Sequence, residues 1–524
     1  MSHDEKWLEL QKKLTEETLQ LTGGRAAIAE RLRELYDYDH FLYPIERGPY
    51  QFFFHRPAGK DHFIFCRSDR DGSNIRPLID PNQFPQGEAK AVTRARPDPN
   101  GRYVAFATSH SGSDWQTWQV MDAKTGELLE DVIAGVKFSL LSWRHDEPGF
   151  FYCSFAETVD KFGANSHHKV FYHRLQAKQH DQLIYFDPDH PDYHYFTHVS
   201  NCGRYLVLIV ESPAHPGNLV LCKDLNRVDA PWQKYVNEFG AHYVFVGSDG
   251  GSLYFRTDDG ASRGRVLAFA LVSSDIPPRE VIGERDQVLE RVSLIGDRIL
   301  VSYTEHALTQ VLAFDGSGNL QGKVPLPGKG TAYGFEGHGG SETTYFNYTD
   351  FMRPATVFRY VLKSGELQVH YQPRLKFNPR EFQVKQLFVK SFDQTQIPVF
   401  LVGRQDVLEA PEPSPLLLYA YGGFGVTMKP SFSPLQHHWM EQGGLYAVCG
   451  VRGGGEYGEH WHRSGSGEHK LNTIRDVEAC AQFFLHNNYC TRQSLALFGR
   501  SNGAMVMAAV VNRDPTLYQA AILV

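Results

Sequence analysis

Between residues 50 and 362 the chain repeats itself as pairs of short apolar runs, and this repetition limits the fold more than any other feature. The pairs are 52–54 with 63–65, 103–107 with 115–121, 151–155 with 170–172, 205–210 with 219–222, 253–255 with 266–271, 299–303 with 311–314, and 345–348 with 357–362. Their first members recur every 45 to 55 residues or so. Most follow a turn signal such as Asn100-Gly101, Cys202-Gly203 or Gly296-Asp297, where positive φ is easily accommodated. Seven hairpins at near-constant spacing predict a seven-bladed β-propeller. A large β-sandwich with irregular strands is the other architecture such hairpins could build, and the regular spacing favours the propeller.

The texture differs on either side of this region. Residues 4–38 carry apolar side chains at helical spacing (Trp7, Leu10, Leu14, then Ala27, Ile28, Leu32, Leu35) in two runs separated by Gly23-Gly24. Two amphipathic helices packed on a larger body are expected. After Lys376, a hairpin over 382–402 and a Pro-rich link at 411–415 precede alternating strands and helices: strands at 416–419, 445–449, 495–498 and 520–524, helices at 435–442, 473–485 and from 504 onward. Such alternation predicts a parallel sheet covered by helices. The expected domains are therefore a helical segment at 1–48 packing on the catalytic domain, a propeller at 49–376 and an α/β domain at 377–524. At 524 residues more than one core is anticipated in any case.

Gly499-Arg500-Ser501-Asn502-Gly503 stands between the strand at 495–498 and the helix that follows. It is the only Gly-x-Ser-x-Gly in the chain. A serine on a sharp strand-to-helix turn, with glycines allowing the two elements close approach, is the pattern of a nucleophile elbow. It would sit at the carboxyl end of its strand, where open α/β sheets place their chemistry. Acyl transfer also needs donors for the oxyanion. The backbone N–H of Asn502 is one, and the loop after the strand at 416–419 offers Tyr421, with Gly422 and Gly423 letting the backbone pass close to a substrate. A buried aromatic with an incidental hydrogen bond is the other reading of Tyr421.

Three successive stretches then resemble the signatures of the prolyl oligopeptidase family of serine peptidases: Tyr421-Gly422-Gly423-Phe424, the run Val451 to His462 (VRGGGEYGEHWH), and Gly499-Arg500-Ser501-Asn502-Gly503. The likeness extends into the propeller at Ser111-Gly112-Ser113-Asp114-Trp115 and Val136-Lys137-Phe138-Ser139. The resemblance implies an α/β-hydrolase domain capped by a seven-bladed propeller, with Ser501 as nucleophile, Tyr421 and the Asn502 N–H as oxyanion donors, and Phe424 lining the pocket for proline. It implies hydrolysis of short proline-containing peptides, admitted past the propeller, on the carboxyl side of proline. Within the same family an acylaminoacyl-peptidase or an oligopeptidase B-like enzyme would differ only in specificity, and Tyr421-Gly422-Gly423-Phe424 favours the proline branch. Arg500 and Ala504 depart from the glycines usual at those positions; neither removes a catalytic atom.

The order nucleophile, acid, histidine is not completed within these residues, since Asp514 alone follows Ser501 and no histidine does. A serine without a base is a poor nucleophile. The expectation is a hydrolase domain truncated at its C-terminal end, with a missing C-terminal segment carrying the triad Asp and His. The alternative is a catalytically inactive propeller protein that binds peptides or partners. No cofactor or metal is expected: Gly453-Gly454-Gly455 lacks the Lys-Ser/Thr of a phosphate loop, and His437-His438 and His460-x-His462 lack zinc-helix spacing. A net charge of -7 without a basic stripe argues against nucleic acid. Seven scattered cysteines, no signal-like segment and no membrane-length apolar run point to a cytoplasmic protein.

Overall fold

The computed structural model describes residues 3–21, 23–85, 90–155, 165–177, 180–227 and 229–524. Among the described residues seven antiparallel sheets follow one another from His40 to Tyr371, six of four strands and the first of five. They are the blades of a propeller. The hairpins legible in the sequence are the middle strands of each blade. Each blade also has an innermost strand, such as Lys90–Pro97 or Val288–Ile295, and a short outer strand, such as Leu320–Lys323. Two short strands, His40–Phe41 and Ile45–Arg47, enter the first sheet ahead of residue 49.

Blades stick to one another through the faces of their middle strands. Between the sixth and seventh blades, Leu300, Val311, Phe335, Phe346 and Phe358 form one cluster. Between the second and third, Ala105, Trp118, Val120, Trp143 and Phe150 form another. Period-2 alternation places one apolar face of each sheet against the preceding blade and the other against the next, so middle strands are apolar on both sides. That is why they alone were conspicuous.

The remaining chain builds a six-stranded sheet. Its strands are β1 (Phe382–Lys390), β2 (Gln396–Arg404), β3 (Leu416–Ala420), β4 (Leu445–Cys449), β5 (Leu495–Gly499) and β6 (Ala520–Leu523), in the order β1-β2-β4-β3-β5-β6. The β1–β2 and β2–β4 pairings are antiparallel, and those from β4 to β6 are parallel. This is an α/β-hydrolase sheet. Its core joins Leu416, Leu418, Leu495 and Leu497 to Val477, Cys480 and Phe484 of one helix and Val506, Met507 and Val510 of the next.

The two N-terminal helices, α1 (His3–Gln20) and α2 (Arg25–Tyr36), behave differently. α2 buries Leu35 and lays the Arg31 guanidinium across both carboxylate oxygens of Glu441, at 3.0 and 2.6 Å, tying it to helix α3 (Pro434–Glu441). The side chains of α1 that are described are all exposed, Trp7, Leu10 and Leu14 among them. The expected packing of two helices is thus observed for one. No helix among the described residues is long and apolar enough to cross a membrane.

Phe346 is fully buried, its ring stacked 4.5 Å from Phe335 and 5.5 Å from Phe358. Phe346→Ala should cost about 3–5 kcal/mol and lower the urea midpoint of propeller unfolding; an unchanged midpoint would show that the apolar cluster between the sixth and seventh blades does not hold the ring together.

Candidate active site

Ser501 occupies a conformation that side chains with a Cβ seldom adopt, φ 54° and ψ -122°. It lies between the end of β5 and helix α5 (Asn502–Arg513), and its side chain is exposed. The turn is held by backbone hydrogen bonds on both sides. Ser501 N–H donates to Val524 O at 2.7 Å, Val524 N–H to Gly499 O at 3.0 Å, and Ala504 N–H to Ser501 O at 2.9 Å. The flanking glycines are required by close contact. A Cβ on Gly499 would come 2.2 Å from Gly503 O, and one on Gly503 would come 2.5 Å from Ala420 O. Backbone meets backbone here, so neither contact can be relieved by a side-chain rotation.

The loop after β3 is locked to this turn. Asn502 donates its side-chain amide to Tyr421 O at 2.6 Å, and a Cβ on Gly423 would lie 2.4 Å from the same amide nitrogen. The structure therefore brings Ser501, Asn502 and Tyr421 together. Sequence reasoning valued Asn502 only for its backbone N–H and missed the side chain's part in seating Tyr421. The Tyr421 hydroxyl makes no hydrogen bond with a described residue, and Tyr421 is half-buried. Phe424, further along the loop, has φ 54° and is 77% exposed. Arg500 also projects outward.

Beneath the loop lie polar groups that the sequence did not single out. Arg452 and Asp476 form a buried pair: Arg452 Nε donates to Asp476 Oδ2 at 2.9 Å and Nη2 to Oδ1 at 2.6 Å. Arg452 N–H donates to Oδ2 at 3.1 Å, and Ser391 Oγ donates to Oδ1 at 2.5 Å. Asp393 takes the outer edge of the guanidinium. Asp476 belongs to helix α4 (Lys470–His486), on the stripe of Thr473, Val477, Cys480, Ala481 and Phe484. A carboxylate beside the apolar Val477, Cys480, Ala481 and Phe484 of that stripe was the available signal.

Glu456 is buried as well. Its Oε1 accepts the Met428 N–H at 2.8 Å, clamping the far end of the Tyr421 loop, while Oε2 has no hydrogen-bond partner among the described residues. Burial pushes this carboxyl up to about 7. Lys470 reaches the same loop by donating to Gly422 O. The histidines considered as ligands have other surroundings. His462 Nδ1 lies 2.8 Å from Gly453 O and 3.0 Å from Gly425 N, and His437 is buried among Phe377, Phe382 and Phe432.

Propeller, hydrolase sheet and serine-bearing turn together define a propeller-capped serine peptidase. Residues 2–373 match the prolyl oligopeptidase N-terminal β-propeller domain, and residues 430–524 match the prolyl oligopeptidase family. The chain belongs to the prolyl oligopeptidase family. It is 32% identical to the prolyl endopeptidase of Elizabethkingia miricola over 521 residues, 98% of this chain and 73% of that protein. A solved prolyl endopeptidase structure overlays with a TM-score of 0.77 at 32% identity, over 99% of this chain and 75% of the other. The apo structure of prolyl oligopeptidase B from Galerina marginata overlays with a TM-score of 0.83 at 25% identity, covering 100% and 78%.

Since the Glu456 carboxyl is held above its unfolded value, the folded state binds the extra proton between about pH 4.5 and 7. Stability contributed by the neutral form is therefore lost as pH rises through that window. Glu456→Gln should remove a fall on the order of 3 kcal/mol from the stability–pH profile measured by urea unfolding; identical profiles for the two proteins would show that the carboxyl is ionised throughout.

Proposed function

We propose that Ser501 is the nucleophile of a peptidase that cleaves short peptides on the carboxyl side of proline. The observation that carries this reading is the exposed hydroxyl on a strained, glycine-flanked turn at the carboxyl end of a parallel strand. Ser501 Oγ attacks the carbonyl carbon of the proline residue, giving its proton to a general base. The oxyanion that develops is met by the Asn502 N–H and the Tyr421 hydroxyl, pre-positioned because the Asn502 side chain holds the Tyr421 backbone. Collapse expels the amine, protonated by the same base, and water then hydrolyses the acyl-serine. Phe424 forms one wall of the proline pocket; its high exposure fits a wall whose opposite side is supplied by other groups.

We place the base and its carboxylate partner on polypeptide outside these 524 residues. Two observations support this. Among the described residues no histidine is hydrogen-bonded to Ser501, and the outer edge of β6 pairs with no described strand while Ile522 and Leu523 lie exposed on it. The catalytically inactive alternative has no comparable support, because two relatives at 31–32% identity that match 98% of the chain are named prolyl endopeptidases. All seven cysteines are free, which supports a reducing compartment and hence the cytoplasm.

With a polypeptide supplying the base, in one chain or added in trans, a fluorophosphonate probe should label Ser501 and chromogenic peptides with proline before the scissile bond should be cleaved in preference to those with arginine or an acylated residue. Tyr421→Phe should lower kcat by roughly 10²–10³-fold with the labelled serine unchanged. Labelling at another residue, or equal cleavage of the three substrates, would overturn the assignment.

A further inference from the structure

Where the second and third blades meet, an imidazole is held between two carboxylates. Asp131 lies on the outermost strand of the second blade, Leu128–Val136. His173 lies on Lys169–Arg174 of the third blade, and Asp181 directly precedes that blade's outermost strand, Gln182–Tyr185. His173 Nε2 stands 3.0 Å from Asp131 Oδ1, and Nδ1 stands 2.8 Å from Asp181 Oδ1. Asp131 and His173 are buried, and the Phe150 ring lies 5.2 Å from the imidazole. Other histidines beside carboxylates, such as His55, His190 and His242, meet one each. Among the described residues His173 alone has a carboxylate oxygen at both ring nitrogens.

An ionised carboxylate only accepts, and a neutral imidazole has a single N–H. Two carboxylates therefore call for a ring that donates from both nitrogens, an imidazolium. The remaining contacts keep the carboxylates in the accepting role. Asp131 Oδ1 also accepts the Gln176 N–H at 2.7 Å, and Asp181 Oδ2 accepts the Tyr152 hydroxyl at 2.7 Å. Burial opposes charge on the ring, yet its bonds to Asp181 and Asp131 hold His173 above the ordinary histidine value. Burial likewise opposes charge on Asp181, and its bonds from His173 and Tyr152 hold it below the usual carboxylate range. Burial and Asp181 push the Tyr152 phenol up, so it remains a neutral donor. His180 is exposed and acts on Asp181 only through space, and Arg174 is taken by Glu147. Loss of the ring proton would leave two carboxylates facing one another across a neutral ring.

The rest of this seam does not titrate. Its apolar part is the cluster of Ala105, Trp118, Val120, Trp143 and Phe150. Two further hydrogen bonds cross it, from Trp143 Nε1 to Arg96 O and from Ser154 Oγ to Gly135 O, both at 3.0 Å, and neither involves an ionisable group. We infer that Asp131, His173 and Asp181 form a proton-operated latch between the second and third blades, fastened while the ring is charged and released as it loses its proton. Stability contributed by a group held above its unfolded value is present at lower pH and is lost as pH rises through the folded-state value. The latch therefore loosens on the alkaline side of about 6.5. It is independent of the chemistry at Ser501.

Hydrogen–deuterium exchange of the 524-residue protein, followed across pH and corrected for the intrinsic base-catalysed rate, tests this. As pH rises beyond the titration of His173, amides of Leu128–Val136 and Lys169–Arg174 should lose protection by about tenfold or more, while those of Arg298–Glu305 in the sixth blade should not. Asp131→Asn and His173→Gln should both flatten the seam profile, and His190→Gln, at an exposed pair, should leave it unchanged. The ¹⁵N resonances of the His173 ring, identified as those missing in His173→Gln or displaced in Asp181→Asn, read the charge directly. Both nitrogens should be protonated near neutral pH. Seam amides that keep pace with the sixth blade at every pH, or a His173 ring that titrates at or below the pH of an unperturbed histidine, would overturn the inference.

Discussion

Everything at the site depends on how closely three stretches of backbone approach one another. The end of β5, the first turn of α5 and the end of β3 meet with no room for a Cβ at Gly499 or Gly503. This contact forces Ser501 into positive φ and lifts its side chain clear of the sheet. The cost of that conformation, of order 1–3 kcal/mol, is offset by parallel pairing of β5 with β3 and β6 and by the apolar packing of α5. The scaffold is thus rigid where the chemistry needs rigidity.

Around this contact the structure arranges two kinds of support. The Tyr421 loop is fixed at its near end by Asn502 and at its far end by Glu456, and Lys470 reaches its middle. Below it, the Arg452–Asp476 pair anchors the segment that contains Glu456. A buried ion pair of this kind adds little net stability but strongly penalises loss of either partner. Its value lies in fixing one geometry. The same segment meets the propeller: Glu459 N–H donates to Ser262 O at 3.1 Å, and Tyr457 pairs with His306 at 3.0 Å. The Glu456 segment and the propeller are therefore coupled through a few short contacts.

Much of this was legible in the sequence because the determining residues lie close together along the chain. The elbow shows itself in five residues, and each blade in one hairpin. What was not legible has a physical explanation in each case. Innermost strands such as Lys90–Pro97 mix exposed and half-buried positions, Arg94 and Arg96 among them, while the outer strand Leu320–Lys323 is exposed along its whole length, so neither shows apolar alternation. The amphipathic pattern of α1 predicted burial, but its apolar side chains find no described partner. Asn502 and Tyr421, or Arg452 and Asp476, meet only through the fold, across 81 and 24 positions of sequence.

The central claim is that Ser501 and its oxyanion donors are assembled before any base acts. A peptide aldehyde ending in proline tests it directly, because hemiacetal formation is an equilibrium that reports geometry and does not need a general base to be favourable. With the aldehyde carbon enriched in ¹³C, its resonance on the 524-residue protein should move to the tetrahedral hemiacetal position, weaken in Tyr421→Phe and be absent in Ser501→Ala. A resonance that stays with the free aldehyde and its hydrate, or that survives loss of the serine hydroxyl, would contradict the account.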